Sequence, residues 1–310
     1  MTYHGTPVAR RPIMNRTIGF ALVLTLALAP VACSNSQEKA RAKLATMRVQ
    51  YSDESFVERA KAGDLLAIEQ FLAAGMNINA TAKDGKTALI AAAEEGRLPM
   101  VQRLLAAGAD INAKDKKFQA TALLFAAART HGEVVKLLLD KGADPRVRET
   151  KQGMTPLLSA AMRNDRTTTR LLVEHGAPIN DKDKEGRTPL IWASVTGNVD
   201  IARLLLQHGA DVKQRESSHG ADALLIAAAR GRTPLVQLLI DKGADARSLD
   251  ADGKNGLMWA AANGHAELVN LFLKAGVDPS VKDDTGKTAA ALAREAKRAN
   301  IEELLKTRRS

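Results

Sequence analysis

The chain repeats itself, and the period decides what it can fold into. Gly75, Gly108, Gly142, Gly176, Gly209, Gly243 and Gly276 recur every 33 or 34 residues within Gly-Ala-Asp or a relative of it. A second marker, a triplet related to Thr-Pro-Leu, opens at Thr87, Thr121, Thr155, Thr188, Asp222, Asn255 and Thr288. Each of the first six openers lies 21 residues before the next marker glycine, whereas the glycine-to-opener spacing is 12 or 13. All length variation therefore sits in one connection. A unit this small can bury its apolar face only against copies of itself, so the spacing predicts a stack of repeats.

The residues inside each unit read as two helices. Every opener is Thr, Asp or Asn, whose side-chain oxygen caps a helix N-terminus. Proline follows Thr155 and Thr188 and is at home in the first helical turn. At one register position Gly63, Gly96, Asn164, Gly197, Gly231 and Gly264 suit a left-handed turn between the helices. Thr130 and Lys297 occupy that position too and predict strained turns. The marker glycines end the second helix. Leu104-Leu105, Leu138-Leu139 and Leu204-Leu205 give it an apolar stripe, and Ala92-Ala93 and Ala126-Ala127 let neighbouring helices approach closely. Such a core needs few rings, which accounts for 45% apolar but only 3% aromatic residues.

TPLIWASVTGNVDIARLLLQHGAD (188–211) and NGLMWAAANGHAELVNLFLKAGVD (255–278) resemble the ankyrin repeat. The resemblance covers residues 52–310 and implies an all-α solenoid of about eight copies, each a helix–turn–helix followed by a hairpin loop. Residues 52–81 read as a degenerate first copy, with Phe56 and Ala60 where Leu and Ala recur. Residues 282–310 read as the last copy, its second helix short and charged as an end repeat requires.

Residues 1–32 read as an export signal. Residues 17–37 carry no charge, Arg10, Arg11 and Arg16 precede the apolar run Ile18–Ala32, and small residues end it. Met14 offers an alternative start. Cys33 closes the run and resembles the lipobox cysteine of bacterial lipoproteins, with Ala32 and Val31 in pattern and Pro30 out of it. Lipidation at Cys33, cleavage without a lipid and an uncleaved anchor all export the remainder. The pattern leads to the expectation of a lipoprotein on the periplasmic side of the bacterial cell envelope, with a soluble periplasmic or secreted protein as the alternative. Residues 33–51 would then be a tether, although AKLATMRV suits a helix leading into the stack equally well.

Catalytic signatures are missing: no GxSxG, HExxH, P-loop or GxGxxG. One cysteine excludes a disulfide scaffold and multi-cysteine metal sites. His131 and His265 fall at a recurrent position after the inter-helix turn, and His175 and His208 precede marker glycines, where a helix C-terminus favours positive charge. Asp183, Asp250 and Asp283 lie five residues before an opener and read as turn-formers. Glu94-Glu95 reads as a solvated face. The expectation is no catalytic residue, no cofactor, no metal and no small-molecule substrate.

The net charge is +10, and residues 33–310 keep 42 Lys and Arg against 35 Asp and Glu, or +7. The resemblance to the ankyrin family implies that hairpin tips and the exposed end of the first helix form a concave face that binds another protein. On that face fall Lys83, Lys86, Lys116, Lys117, Phe118, Lys151, Met154, Lys184 and Arg187, together with Trp192 and Trp259. Its first half is basic, so the expected partner is a protein with an acidic patch, with a membrane contact through the lipid on Cys33. Phe118, in a lengthened hairpin without the usual glycine, is either an exposed anchor or tucked onto a neighbouring repeat. Two other classes stay open: an enzyme with a site on the concave face, and a basic binder of nucleic acid or an anionic surface. The cations are not interleaved with stacking aromatics, which disfavours nucleic acid.

Overall fold

The computed structural model describes residues 29–307, with side chains from residue 35. The expected signal segment thus falls largely outside the described residues. Helix α1 (Ala29–Thr46) precedes eight helix pairs. These are α2 (Asp53–Ala62) with α3 (Leu65–Ala73), α4 (Ala88–Glu94) with α5 (Leu98–Ala106), α6 (Ala122–Ala128) with α7 (Gly132–Asp140), and α8 (Pro156–Met162) with α9 (Arg166–Glu174). They continue as α10 (Pro189–Thr196) with α11 (Val199–Gln207), α12 (Ala223–Ala229) with α13 (Thr233–Asp241), α14 (Gly256–Asn263) with α15 (Ala266–Lys274), and α16 (Ala289–Glu295) with α17 (Ala299–Thr307). First helices pack on first helices and second on second, giving two layers along one stack. The chain forms the expected helical ankyrin-type solenoid.

Each opener is an N-cap. The side chains of Thr87, Thr121, Thr155, Thr188, Asp222, Asn255 and Thr288 each accept the backbone N–H three residues on. The first copy departs from this register: Ser52 caps α2 two residues early, and the helix runs to 10 residues. Ala92, Ala93, Ala126 and Ala127 are fully buried, so first helices meet almost backbone to backbone. One continuous apolar core runs from Leu44 to Leu305.

The inter-helix turns are left-handed as the sequence predicts. Thr130 (φ 62°) and Lys297 (φ 56°) adopt the same conformation as the glycines at this position. Side chains there cost on the order of 1–2 kcal/mol, and the β-branch of Thr130 makes it the less comfortable. Gly231 has a second reason to be glycine: a Cβ would stand 2.6 Å from the ring of His265 in the next copy. His131 lies over Gly96 in the same way, its Nε2 3.0 Å from the Glu94 carbonyl oxygen. The recurrent histidine is a bridge between repeats.

Residues 33–51 are not a loose tether. Cys33 falls within the span of α1, and Ala40, Leu44 and Val49 are buried against the stack. Tyr51 stacks on Phe71 at 5.7 Å, Arg41 lies 4.5 Å over the Tyr51 ring, and the Tyr51 hydroxyl donates to the Ala74 carbonyl at 3.1 Å. Phe56 meets Phe71 edge-on at 5.4 Å. The helical alternative for AKLATMRV is the one the chain adopts, and it closes the N-terminal end of the core.

Candidate partner-binding face

The hairpins between repeats are laced together. Thr150 N–H donates to the Phe118 carbonyl (2.8 Å), Lys184 N–H to that of Gln152 (2.9 Å), Ser217 N–H to that of Glu185 (2.7 Å), Ala251 N–H to that of His219 (2.7 Å) and Asp284 N–H to that of Asp252 (3.1 Å). From the hairpin of Phe118 onward each hairpin thus holds the next, and this row of tips is a preorganised edge. Such an edge has less ordering entropy to lose when it binds.

A carboxylate organises each of six hairpins from within. Asp183 accepts the N–H groups of Glu185 (3.1 Å) and Arg187 (2.8 Å). Asp250 and Asp283 repeat this arrangement with Asp252 and Lys254, and with Thr285 and Lys287. In the three lengthened hairpins the carboxylate moves back one residue and covers more N–H groups. Asp115 takes those of Lys117, Phe118 and Ala120, Glu149 those of Lys151, Gln152 and Met154, and Glu216 those of Ser218, His219 and Ala221. All six are buried. Burial raises the pKa values of Glu216 and Asp283, but hydrogen bonds outweigh it and hold both below the ordinary carboxylate range: backbone N–H groups for Glu216, and the Thr285 hydroxyl followed by the N–H groups of Lys287 and Thr285 for Asp283.

The residue just before each opener now divides by hairpin length. Short hairpins place Lys86, Arg187, Lys254 and Lys287 there, and long ones Ala120, Met154 and Ala221. Met154 is only 5% exposed, so it serves packing and offers a partner nothing; the expectation for it is corrected. Arg187 reaches Asp183 (2.9 Å) and Glu185 (2.7 Å) and lies 4.1 Å over the Trp192 ring. Lys86 pairs with Glu94, which Arg129 also reaches at 3.3 Å. Glu94 is therefore not part of a solvated face. Burial raises its pKa, and the two cations bring it below the usual value.

Trp192 and Trp259 are half-buried and anchored. Their Nε1 atoms donate to Oδ2 of Asp183 (3.0 Å) and Asp250 (2.7 Å), nine residues earlier in each case. Lys254 sits 5.1 Å over the Trp259 ring. The last repeat has Leu292 at this position, and Asp283 Oδ2 is buried without a donor. Leu292→Trp is expected to supply that donor and a ring beneath Lys287, raising stability by about 1 kcal/mol. Trp259→Phe should lose a similar amount or somewhat more. Urea melts of both variants check the pair; a neutral Leu292→Trp would show that the Asp–Trp bond adds nothing.

The remaining candidates are exposed. Lys83, Lys116, Lys117 and Lys151 face solvent with no ion pair among the described residues. Lys184 is exposed and donates to the Thr150 carbonyl (2.6 Å). Phe118 is half-buried but stays off the continuous core, with Lys117 5.1 Å over its ring. Gln119 takes the tip position that other hairpins give to glycine, at φ 57°. Among the described residues no cluster of three or more His, Cys, Asp or Glu is placed to hold a metal ion.

The family model for "Ankyrin repeats (3 copies)" matches three times, over residues 57–149, 144–216 and 220–309. No curated protein matches the chain. Ankyrin repeats bind other proteins and are generally non-enzymatic, and matches over most of its length place this chain in the ankyrin-repeat family.

Proposed function

We propose that this protein is a non-enzymatic scaffold, anchored in the bacterial cell envelope through a lipid on Cys33, whose hairpin face captures an acidic patch on another protein. The observation that supports the capture most is the preorganised edge of laced hairpins carrying Lys116, Lys117 and Lys151, with Lys83 on the hairpin before them. Cations left free on a rigid edge raise association rates with an acidic partner and select against basic ones. Lys86 and Arg187 belong to the internal framework and are removed from the contact set.

The placement of α1 sharpens the anchoring reading. Ala40 is already buried in the stack, so few residues separate Cys33 from the folded body. A lipid there would hold the first repeat at the membrane surface. Among the described residues no helix is long and apolar enough to cross a membrane.

Cys33→Ser should release the protein from the membrane fraction and abolish acyl labelling. Wild-type chain without lipid by mass spectrometry would overturn the anchoring. For the face, Phe118→Ala should weaken partner capture by ~1–3 kcal/mol. Lys116→Glu with Lys117→Glu should slow association and flatten its salt dependence. All should melt like wild type; equal capture by each would move the contact to the second-helix layer.

A further inference from the structure

The second half of the hairpin face contains a recess that the exposed lysines do not reach. Val195, Leu225, Ile226, Ala229 and the Trp259 ring line a cavity of about 360 Å³ spanning three consecutive repeats. Its rim carries Arg187, His219 and Arg230, together with Glu216 and Asp250.

The two acidic groups are already spent. Glu216 accepts three hairpin N–H groups, from Ser218, His219 and Ala221, and Asp250 accepts Trp259 Nε1 and two more N–H groups. Arg187 is likewise satisfied by Asp183 and Glu185. The Arg230 guanidinium is different: it is exposed and makes no hydrogen bond or ion pair among the described residues. His219 is also exposed, but its Nδ1 lies 3.8 Å from Glu216 Oε1, so it adds no free charge to the rim. The recess therefore combines an apolar floor with one uncompensated cation at its edge.

We infer that this recess takes an aliphatic or aromatic side chain of a partner polypeptide, seated on Trp259 and Ile226, with a carboxylate of the neighbouring residue held by Arg230. A cavity of this volume accepts one large side chain with room to spare. Its position across three hairpin-linked repeats suits an extended segment running along the stack. The reading names the partner's chemistry more closely than an acidic patch alone, and it rests on the protein-binding reading of this face.

The test is fluorescence anisotropy of dye-labelled nonapeptides on the full-length chain, with a central Leu, Phe or Ala flanked by Glu or by Lys. Leu and Phe peptides flanked by Glu should saturate, at least about tenfold tighter than the Ala-centred or Lys-flanked ones. Arg230→Glu should remove the preference for Glu flanks, and Ala229→Trp, which fills the recess, should remove the preference for Leu and Phe. Circular dichroism melts of both variants confirm that they fold. Absence of saturable binding overturns the proposal. So does binding that depends on Arg230 but ignores both the central side chain and Ala229→Trp, which would be charge attraction without a pocket. If the peptides fail while Lys116→Glu with Lys117→Glu still impairs capture of the native partner, the recess is wrong and the protein-binding face stands.

Discussion

Ala126→Glu should break the solenoid in two. Ala126 is fully buried in α6, between α4 and α8, where neighbouring first helices approach closely. A carboxylate there has no cation in reach of a framework built from alanine and leucine. An uncompensated buried charge costs about 3–5 kcal/mol. In a linear stack each repeat leans on its neighbours, so the loss appears as failure of both junctions. Chemical denaturation should change from one transition to a lower, broader one, with repeats four to eight outlasting the first three. An unchanged midpoint would mean that the alanine seam does not carry the stacking.

Phe71→Ala should be comparably large but confined to one end. Phe71 is fully buried and holds Tyr51 and Phe56 together beneath α1. Truncating such a ring costs about 3–5 kcal/mol, because little around it can collapse into the space. End repeats have one neighbour, so the damage should stay in α1 to α3. Hydrogen exchange should show lost protection across residues 40–74 with the C-terminal repeats untouched. Global unfolding would instead show that the N-terminal pair nucleates the whole stack. Loss of the end pair would also lengthen the connection between Cys33 and the folded body, so that a lipid on Cys33 would no longer hold the first repeat at the membrane surface.

The stack was readable because its chemistry is local. Caps, left-handed turns and the marker glycines each depend on a few adjacent residues, and all recur in register. Even the strain at Thr130 and Lys297 follows from the position alone. The hairpins were less readable because their folding depends on pairing between distant residues. Asp183 and Trp192 each stood out, but nothing local says that a turn-forming carboxylate also receives an indole N–H nine residues later. Met154 was misplaced for a related reason. Its hairpin is one residue longer, Glu149 accepts the Met154 N–H, and the side chain is buried with it. The alternation of Lys or Arg in short hairpins with Ala or Met in long ones was the available signal. Nothing local in the sequence says that Arg230 stands alone beside an apolar recess, because that depends on how Glu216 and Asp250 are consumed.

The account turns on which face of the stack meets the partner, and site-specific photocrosslinking in intact cells addresses that directly. A photoreactive amino acid at Lys117, Lys151 or Arg230 samples the hairpin face, and one at Arg170 or Arg203 samples the second-helix layer; all five positions are exposed. The account predicts one adduct of common mass from the first three positions and none from the last two. Adducts from Arg170 and Arg203 alone would contradict it.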